Sequence, residues 1–329
     1  VWGMGVARFG EWATRTYTNE KVRENYSRRF SIRFPNEELP AARPQQTTAL
    51  YDKMLAQGAV MGDSWGLETP LWFAPKGVEP KDIVSFRRSN DFPHVKAEVL
   101  ATRNGVGVTE IANFAKYRFS GDGAEAFLLR LMTNKMPKTG RIVLTPMLNP
   151  QGKLIGDFTI AKAQDGSFYM WGSSQAQKYH MRWFEAHQPT DGSVTIQRLD
   201  MGLVGLSIAG PKSRDVLAQL TDEDVSNAAF KFMDHWSMDI AHCPALINRV
   251  TYTGDLGYEI WVTPEYQRRL YEQIMNAGAA HGIANFGMRA LLSMRLEKNF
   301  PTWYRELRPI YGGFEAGMDR FIDLTKNDF

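Results

Sequence analysis

One cysteine among 329 residues leaves Cys243 without a partner in its own chain, so neither an internal disulfide framework nor a cysteine-rich metal centre is available. That usage fits a reducing compartment. The chain also lacks any run of about 18 apolar residues, the length a membrane-spanning helix needs. No Gly-x-Gly-x-x-Gly follows a strand pattern and no Walker-type phosphate loop is present, so the chain shows no dinucleotide site of its own. A dominant charge is missing too. The 39 Lys and Arg are interleaved with 36 Asp and Glu, which argues against a nucleic-acid binder. Val1-Trp2-Gly3-Met4-Gly5 has no charged, then apolar, signal-peptide pattern, and a start without methionine suggests a processed or trimmed chain.

What remains is a globular composition, 43% hydrophobic and 23% charged, on a chain long enough for two or more domains. Residues 1–45 read as a connector: Glu11 to Arg29 is helix-compatible, but Pro35 and Pro40 follow with little periodicity. From Val106 a strand pattern runs to Phe119, then Ala124, Phe127, Leu128 and Leu131 recur at helical spacing. The strand-then-helix unit returns at Leu203–Ala209 with Gly210–Leu217, and again at Tyr258–Val262 with Pro264–Gly278. Strands interleaved with helices, and hairpins among them, predict an α+β fold and not a continuous doubly wound sheet.

Two hairpins carry the chemistry. Leu144 to Ala161 reads as a strand, an Asn149-Pro150-Gln151-Gly152 turn and a second strand holding Asp157. Asp is disfavoured inside a strand, and Ile155, Phe158 and Ile160 around it predict a partly buried carboxylate. Such a group is either bonded to backbone amides or poised to bind an amine and take its proton. The other hairpin is Asn248–Tyr252, the bend Thr253-Gly254-Asp255-Leu256-Gly257, and Tyr258–Val262. Its two glycines permit backbone angles that other residues reach only at a cost. Alone it reads as a surface bend with solvated acids. His180 and His187 lie seven apart on a helical stretch with no third ligand, so they read as surface or packing residues and no metal site is assigned.

These segments together resemble the glycine-cleavage T-protein (aminomethyltransferase) family: Leu148–Gly152 with Asp157, Ile208–Ser213, Tyr252–Glu259, and Arg289 with Met294–Glu297. From Asn25 onward the chain is more similar to the folate-binding half of dimethylglycine and sarcosine dehydrogenases, through Gly66–Phe73, Ile111–Tyr117, Leu296-Glu297-Lys298, Arg308–Tyr311 and Phe314–Gly317. The aminomethyltransferases carry Tyr where this chain has Leu144, and Asn where it has Gly172-Ser173, which favours the dehydrogenase branch. The resemblance implies two α/β subdomains, roughly 46–200 and 201–325, around a central cleft that holds tetrahydrofolate. By matching position, Asp157 is the catalytic acid, while Tyr252, Glu259 and Arg289 bind the cofactor. A carboxylate accepts two hydrogen bonds from a pterin edge, an Arg suits a carboxylate or carbonyl, and Asp255 falls back to a turn residue.

The implied reaction captures iminium or formaldehyde, released from an oxidised N-methyl amine, as 5,10-methylenetetrahydrofolate. FAD enters only through a missing or partner domain, for which residues 1–45 are the exit, and 326–329 would open a missing terminal β-barrel. Partners implied are a flavin-binding domain or subunit and a small N-methylated amine, with assembly as a homo- or hetero-oligomer, no nucleic acid and no membrane. The compartment is cytoplasmic, or the mitochondrial matrix in a eukaryote. The alternatives are a folate-dependent demethylase or aminomethyltransferase of another methylated substrate, or a folate-independent structural module.

Overall fold

The computed structural model describes residues 10–173 and 176–326. Its eight helices among these residues are α1 (Arg15–Ser27), α2 (Tyr51–Ala56), α3 (Phe92–Asn104), α4 (Ala124–Leu131), α5 (Gln177–His187), α6 (Ser213–Leu217), α7 (Pro264–Gly278) and α8 (Met288–Glu297). The strands are β1 (Ala59–Ser64), β2 (Leu67–Phe73), β3 (Gly107–Glu110), β4 (Ala115–Ser120), β5 (Ile142–Leu148), β6 (Leu154–Lys162), β7 (Phe168–Gly172), β8 (Thr195–Arg198), β9 (Val204–Ala209), β10 (His235–Ile240), β11 (Cys243–Asn248), β12 (Gly257–Val262) and β13 (Ala284–Asn285). The fold is α+β, as the interleaved pattern predicts.

Three sheets result: β1-β2, a six-stranded sheet in the order β10-β11-β12-β9-β3-β13, and a five-stranded sheet in the order β5-β6-β7-β4-β8. Every pairing within the five-stranded sheet is antiparallel, and β13–β3 is the one parallel pair in the six-stranded sheet. The chain crosses between the layers. β3 joins the six-stranded sheet, and Trp303, Leu307 and Met318 return to pack against the five-stranded one.

Each sheet has its own core on one face. Tyr258, Ile260 and Val262 pack with Leu270 and Ile274 of α7, whose apolar positions recur at helical spacing. Phe158, Ile160, Tyr117 and Phe119 pack with Phe127 of α4 and Phe184 of α5. The opposite faces meet through a smaller cluster of Ile111, Ile142, Ala161, Trp171, Leu203 and Trp261. Period-two alternation therefore sends every second residue of β6, β7, β11 and β12 into the space between the sheets. Helix α1 buries no residue, in keeping with a connector, and Arg43 ties the segment after it to buried Glu68 through two 2.7 Å hydrogen bonds.

Candidate functional site

The interlayer collects side chains from strands far apart in sequence. On the six-stranded sheet, Glu259 and Trp261 share the face opposite the core, with Asn248 and Leu246 beside them on β11 and His235 beside Asn248 on β10. Trp261 lies flat because its neighbour on β9 is Gly205, where a Cβ would stand 2.6 Å from the indole ring. On the five-stranded sheet, Asp157, Thr159 and Ala161 face the same space, with Trp171 next to Thr159 and Lys116 next to Trp171. The layers touch where the tilted rings of Trp171 and Trp261 meet with centroids 5.7 Å apart, and where the His235 ring lies 6.0 Å from both Tyr169 and Trp171.

Low solvation sets the electrostatics. Asp157 is partly exposed by surface, yet enough protein surrounds its carboxyl that desolvation raises its pKa to about 6. Desolvation likewise raises Glu259 to about 7, opposed by the neighbouring Asn248 amide and Trp261 indole N–H. Those two donors lie close enough to act on the charge, but neither makes a hydrogen bond of normal length: Asn248 Nδ2 and Trp261 Nε1 are buried without a partner. Lys116, on the same floor, is buried and held near neutrality, its pKa lowered to about 7 chiefly by desolvation. Its Nζ donates to the Ala112 carbonyl at 2.7 Å and lies 5.7 Å from the Trp261 ring.

Tyr252 stands in the loop joining β11 to β12. The lead-in strand expected over Asn248–Tyr252 does not form: β11 ends at Asn248 and the loop runs over 249–256. The backbone of Arg249 leaves the hairpin to pair with Met233 and Asp234, at 3.2 and 2.9 Å, and this stops the ladder. The loop is then fixed by Thr251 Oγ1 donating to the Asp255 carbonyl and by Arg103, which binds the Asp255 carboxylate, the Thr253 carbonyl, the Met294 carbonyl and Glu297. Asp255 is therefore spent on the turn. The Tyr252 ring stacks on Phe300 and its hydroxyl donates to the Pro301 carbonyl. Its pKa is pushed up to about 12, by burial first and by the nearby Asp157 charge as well, so Tyr252 and Asp157 are electrostatic neighbours.

Arg289 lies elsewhere. On α8 its guanidinium grips Asp82 through two hydrogen bonds of 2.8 and 2.7 Å and Asp91 through one of 2.7 Å. Among the described residues no hydrogen bond or ion pair joins it to Asp157, Tyr252 or Glu259. The two facing sheet surfaces carry Asp157 and Glu259; Tyr252 packs beside them against the cluster of Phe286, Leu291 and Met294 and senses the Asp157 charge, and Arg289 lies on the helical flank. Sequence reasoning missed Asn248, His235, Trp171, Trp261 and Lys116, which no local motif marks and which meet only through strand register. The histidines behave as packing residues. His180 is buried with Nε2 on the Ile155 carbonyl, and its pKa falls to about 3 through desolvation. His187 Nδ1 bonds the Trp183 carbonyl one turn back. No cluster of ligating side chains fit for a metal occurs among the described residues, and no helix there is long and apolar enough to cross a membrane.

Comparison with known proteins places these features in a family. Residues 50–326 match the GCVT N-terminal domain, and residues 1–48 match the FAD dependent oxidoreductase central domain. The chain is 37% identical over 320 residues to mitochondrial dimethylglycine dehydrogenase of Rattus norvegicus, covering 97% of this chain and 37% of that protein. It is 28% identical to the mitochondrial pyruvate dehydrogenase phosphatase regulatory subunit of Mus musculus, over 99% of this chain and 38% of that one. The chain thus spans little more than a third of the length of these curated relatives. Among solved structures, the glycine cleavage system aminomethyltransferase T from Bartonella henselae superposes with a TM-score of 0.71 at 21% identity, over 85% of this chain and 70% of that one. That likeness shows the same fold.

Proposed function

The chain belongs to the GCVT N-terminal domain family, and from that premise we propose that it is the tetrahydrofolate-binding, one-carbon-transfer portion of a flavin-dependent N-methyl amine dehydrogenase of the dimethylglycine or sarcosine type. One observation carries the reading. Strand register puts Asp157 of β6 on the sheet face that carries Trp171 and Glu259 of β12 on the sheet face that carries Trp261, and those two rings meet between the sheets.

The residues present suit a pterin. Trp171 and Trp261 offer flat apolar faces, and Glu259 offers two acceptor oxygens. Asn248 Nδ2 and Trp261 Nε1 are buried donors that a ring carbonyl or ring nitrogen satisfies. Bound there, tetrahydrofolate supplies the acceptor for a one-carbon unit, with 5,10-methylenetetrahydrofolate as the product. Glu259 and Tyr252 hold and orient it. Asp157, with a pKa of about 6, is ionised at neutral pH and accepts a proton from an adjacent amine. Arg289 keeps its assignment to the cofactor only if Asp82 and Asp91 share it with a ligand anion.

The same reading makes residues 1–45 the connector from a flavin domain and 46–325 the folate-binding region, subdivided near 200. The start of a barrel at 326–329 lies, but for Lys326, outside the described residues. The mitochondrial relatives support the matrix as compartment in a eukaryote, and a flavin-bearing domain or subunit as partner. A second reading, a folate-independent regulatory module, draws on the likeness to the phosphatase regulatory subunit. Calorimetric titration with tetrahydrofolate separates the two. Saturable binding that Glu259→Ala abolishes supports the proposal, and no binding by the unaltered protein sinks it.

A further inference from the structure

Asn248 is wholly buried at the C-terminal end of β11, on the sheet face shared with Glu259 and Trp261. On β11 it sits opposite His235 of β10 on one side and opposite Glu259 of β12 on the other. His235 Nδ1 and Asn248 Oδ1 are 2.8 Å apart, so the imidazole donates and the amide oxygen accepts. That bond fixes which way the amide points. With Oδ1 spent on His235, Nδ2 is turned to the Glu259 side, where it is buried and acts on the carboxyl without a hydrogen bond of normal length. His235 cannot swing away to release it, because Tyr169 and Trp171 pack on its ring from the opposing sheet. An unpaired amide donor this deep, held at a fixed angle, needs an account.

We infer that Asn248, turned by His235, positions the Glu259 carboxyl and reads the acceptor side of the ligand's heterocycle. Glu259 takes ring N–H and amino donors, and Asn248 donates to the carbonyl or ring nitrogen beside them. The ligand class this selects is a planar 2-amino-4-oxopyrimidine edge, with donors and an acceptor side by side. The inference rests on the folate reading and adds to it the residues that set ring specificity.

The test titrates the full-length flavoprotein, by calorimetry and tryptophan fluorescence, with two probes: tetrahydrofolate, and a tetrahydropterin without the aminobenzoylglutamate tail. Asn248→Ala should weaken both probes equally, by about tenfold, since the lost contact is to the ring. In a Glu259→Gln background the same change should add less than about threefold, because the two residues act as one unit. His235→Phe keeps the ring packing and removes the donor. It should weaken both probes in the same direction, and it carries the test if Asn248→Ala does not fold. Losses that multiply independently, an unchanged affinity in both variants, or a loss confined to the tailed probe would each overturn the inference while leaving the folate reading standing. Failure of the unaltered protein to bind either probe sinks both.

Discussion

Replacing Glu259 with Gln should strengthen the fold and weaken the site, and both effects should grow as the pH rises and the carboxyl ionises. Folding lifts the Glu259 pKa from 4.5 to about 7, chiefly by desolvation. At 1.36 kcal/mol per pH unit, that is a penalty of about 3 kcal/mol on the charged form. The sign follows from where the proton is held. A folded pKa above the unfolded one means that relative stability is full below about 4.5 and lost as the pH rises through about 7. At pH 8 the unaltered chain bears the whole cost, whereas Gln bears none of the charge and retains the shape. Glu259→Gln should therefore be more stable by about 1–3 kcal/mol at pH 8 in urea unfolding, the lower bound allowing for the cost of burying an amide. The gain should shrink toward zero as the pH approaches 4.5. Tetrahydrofolate affinity should fall roughly 10- to 100-fold, because a charge-assisted acceptor is gone. A residue that costs stability and gives binding is the signature of a functional position. A variant less stable than its parent at pH 8, or a difference that grows on acidification, would refute this reasoning and make Glu259 structural.

Asp157→Ala should leave tetrahydrofolate binding within a few-fold and lower methylenetetrahydrofolate formation by about two to four orders of magnitude, assayed with dimethylglycine and the proposed flavin domain or subunit present. With the Asp157 pKa at about 6, parental turnover should fall as the pH drops through that value and protonation removes the base; a flat acid limb argues against the role. Arg103→Met, which strips the Asp255, Thr253 and Met294 ties from the loop, should cost about 2–4 kcal/mol in urea unfolding and open residues 249–256 to proteolysis. An intact loop with unchanged stability would show that the network is incidental. Gly205→Ala drives a methyl to 2.6 Å from the Trp261 ring, so near-UV circular dichroism should change and stability should fall by about 1–3 kcal/mol. Unaltered spectra would mean that Trp261 does not need the flat strand.

The outline of this fold was legible because its signals are local. The spacing of Ala124, Phe127 and Leu128 marked α4, and the glycines around Asp255 marked a bend. Helix α7 runs over the predicted Pro264–Gly278, with Pro at its first turn where the missing N–H costs nothing. Where the second hairpin begins was not legible. Nothing in Arg249-Val250-Thr251 announces that its backbone pairs with Met233 and Asp234 instead of extending β11.

The site divides along the same line. Asp157 can be singled out because a carboxylate in an apolar strand conflicts locally with its neighbours, whereas Tyr252 and Glu259 are marked only by the family resemblance, since the bend between them alone reads as a surface turn. Asn248, His235, Trp171 and Trp261 fit their strands and raise no local conflict. Their oddity is collective: three buried N–H groups without partners, on two sheets that meet only in the folded chain. Arg289 shows the converse. A cation near the right motif reads as a ligand-binding residue from sequence, and its two carboxylate partners, Asp82 and Asp91, are visible only in the fold. Desolvation makes the distinction physical. It raises the pKa values of Asp157 and Glu259 to about 6 and 7, whereas Arg289 on α8 is paired with two carboxylates from the segment between β2 and α3. The unpaired groups are the ones with interactions still to give to a ligand.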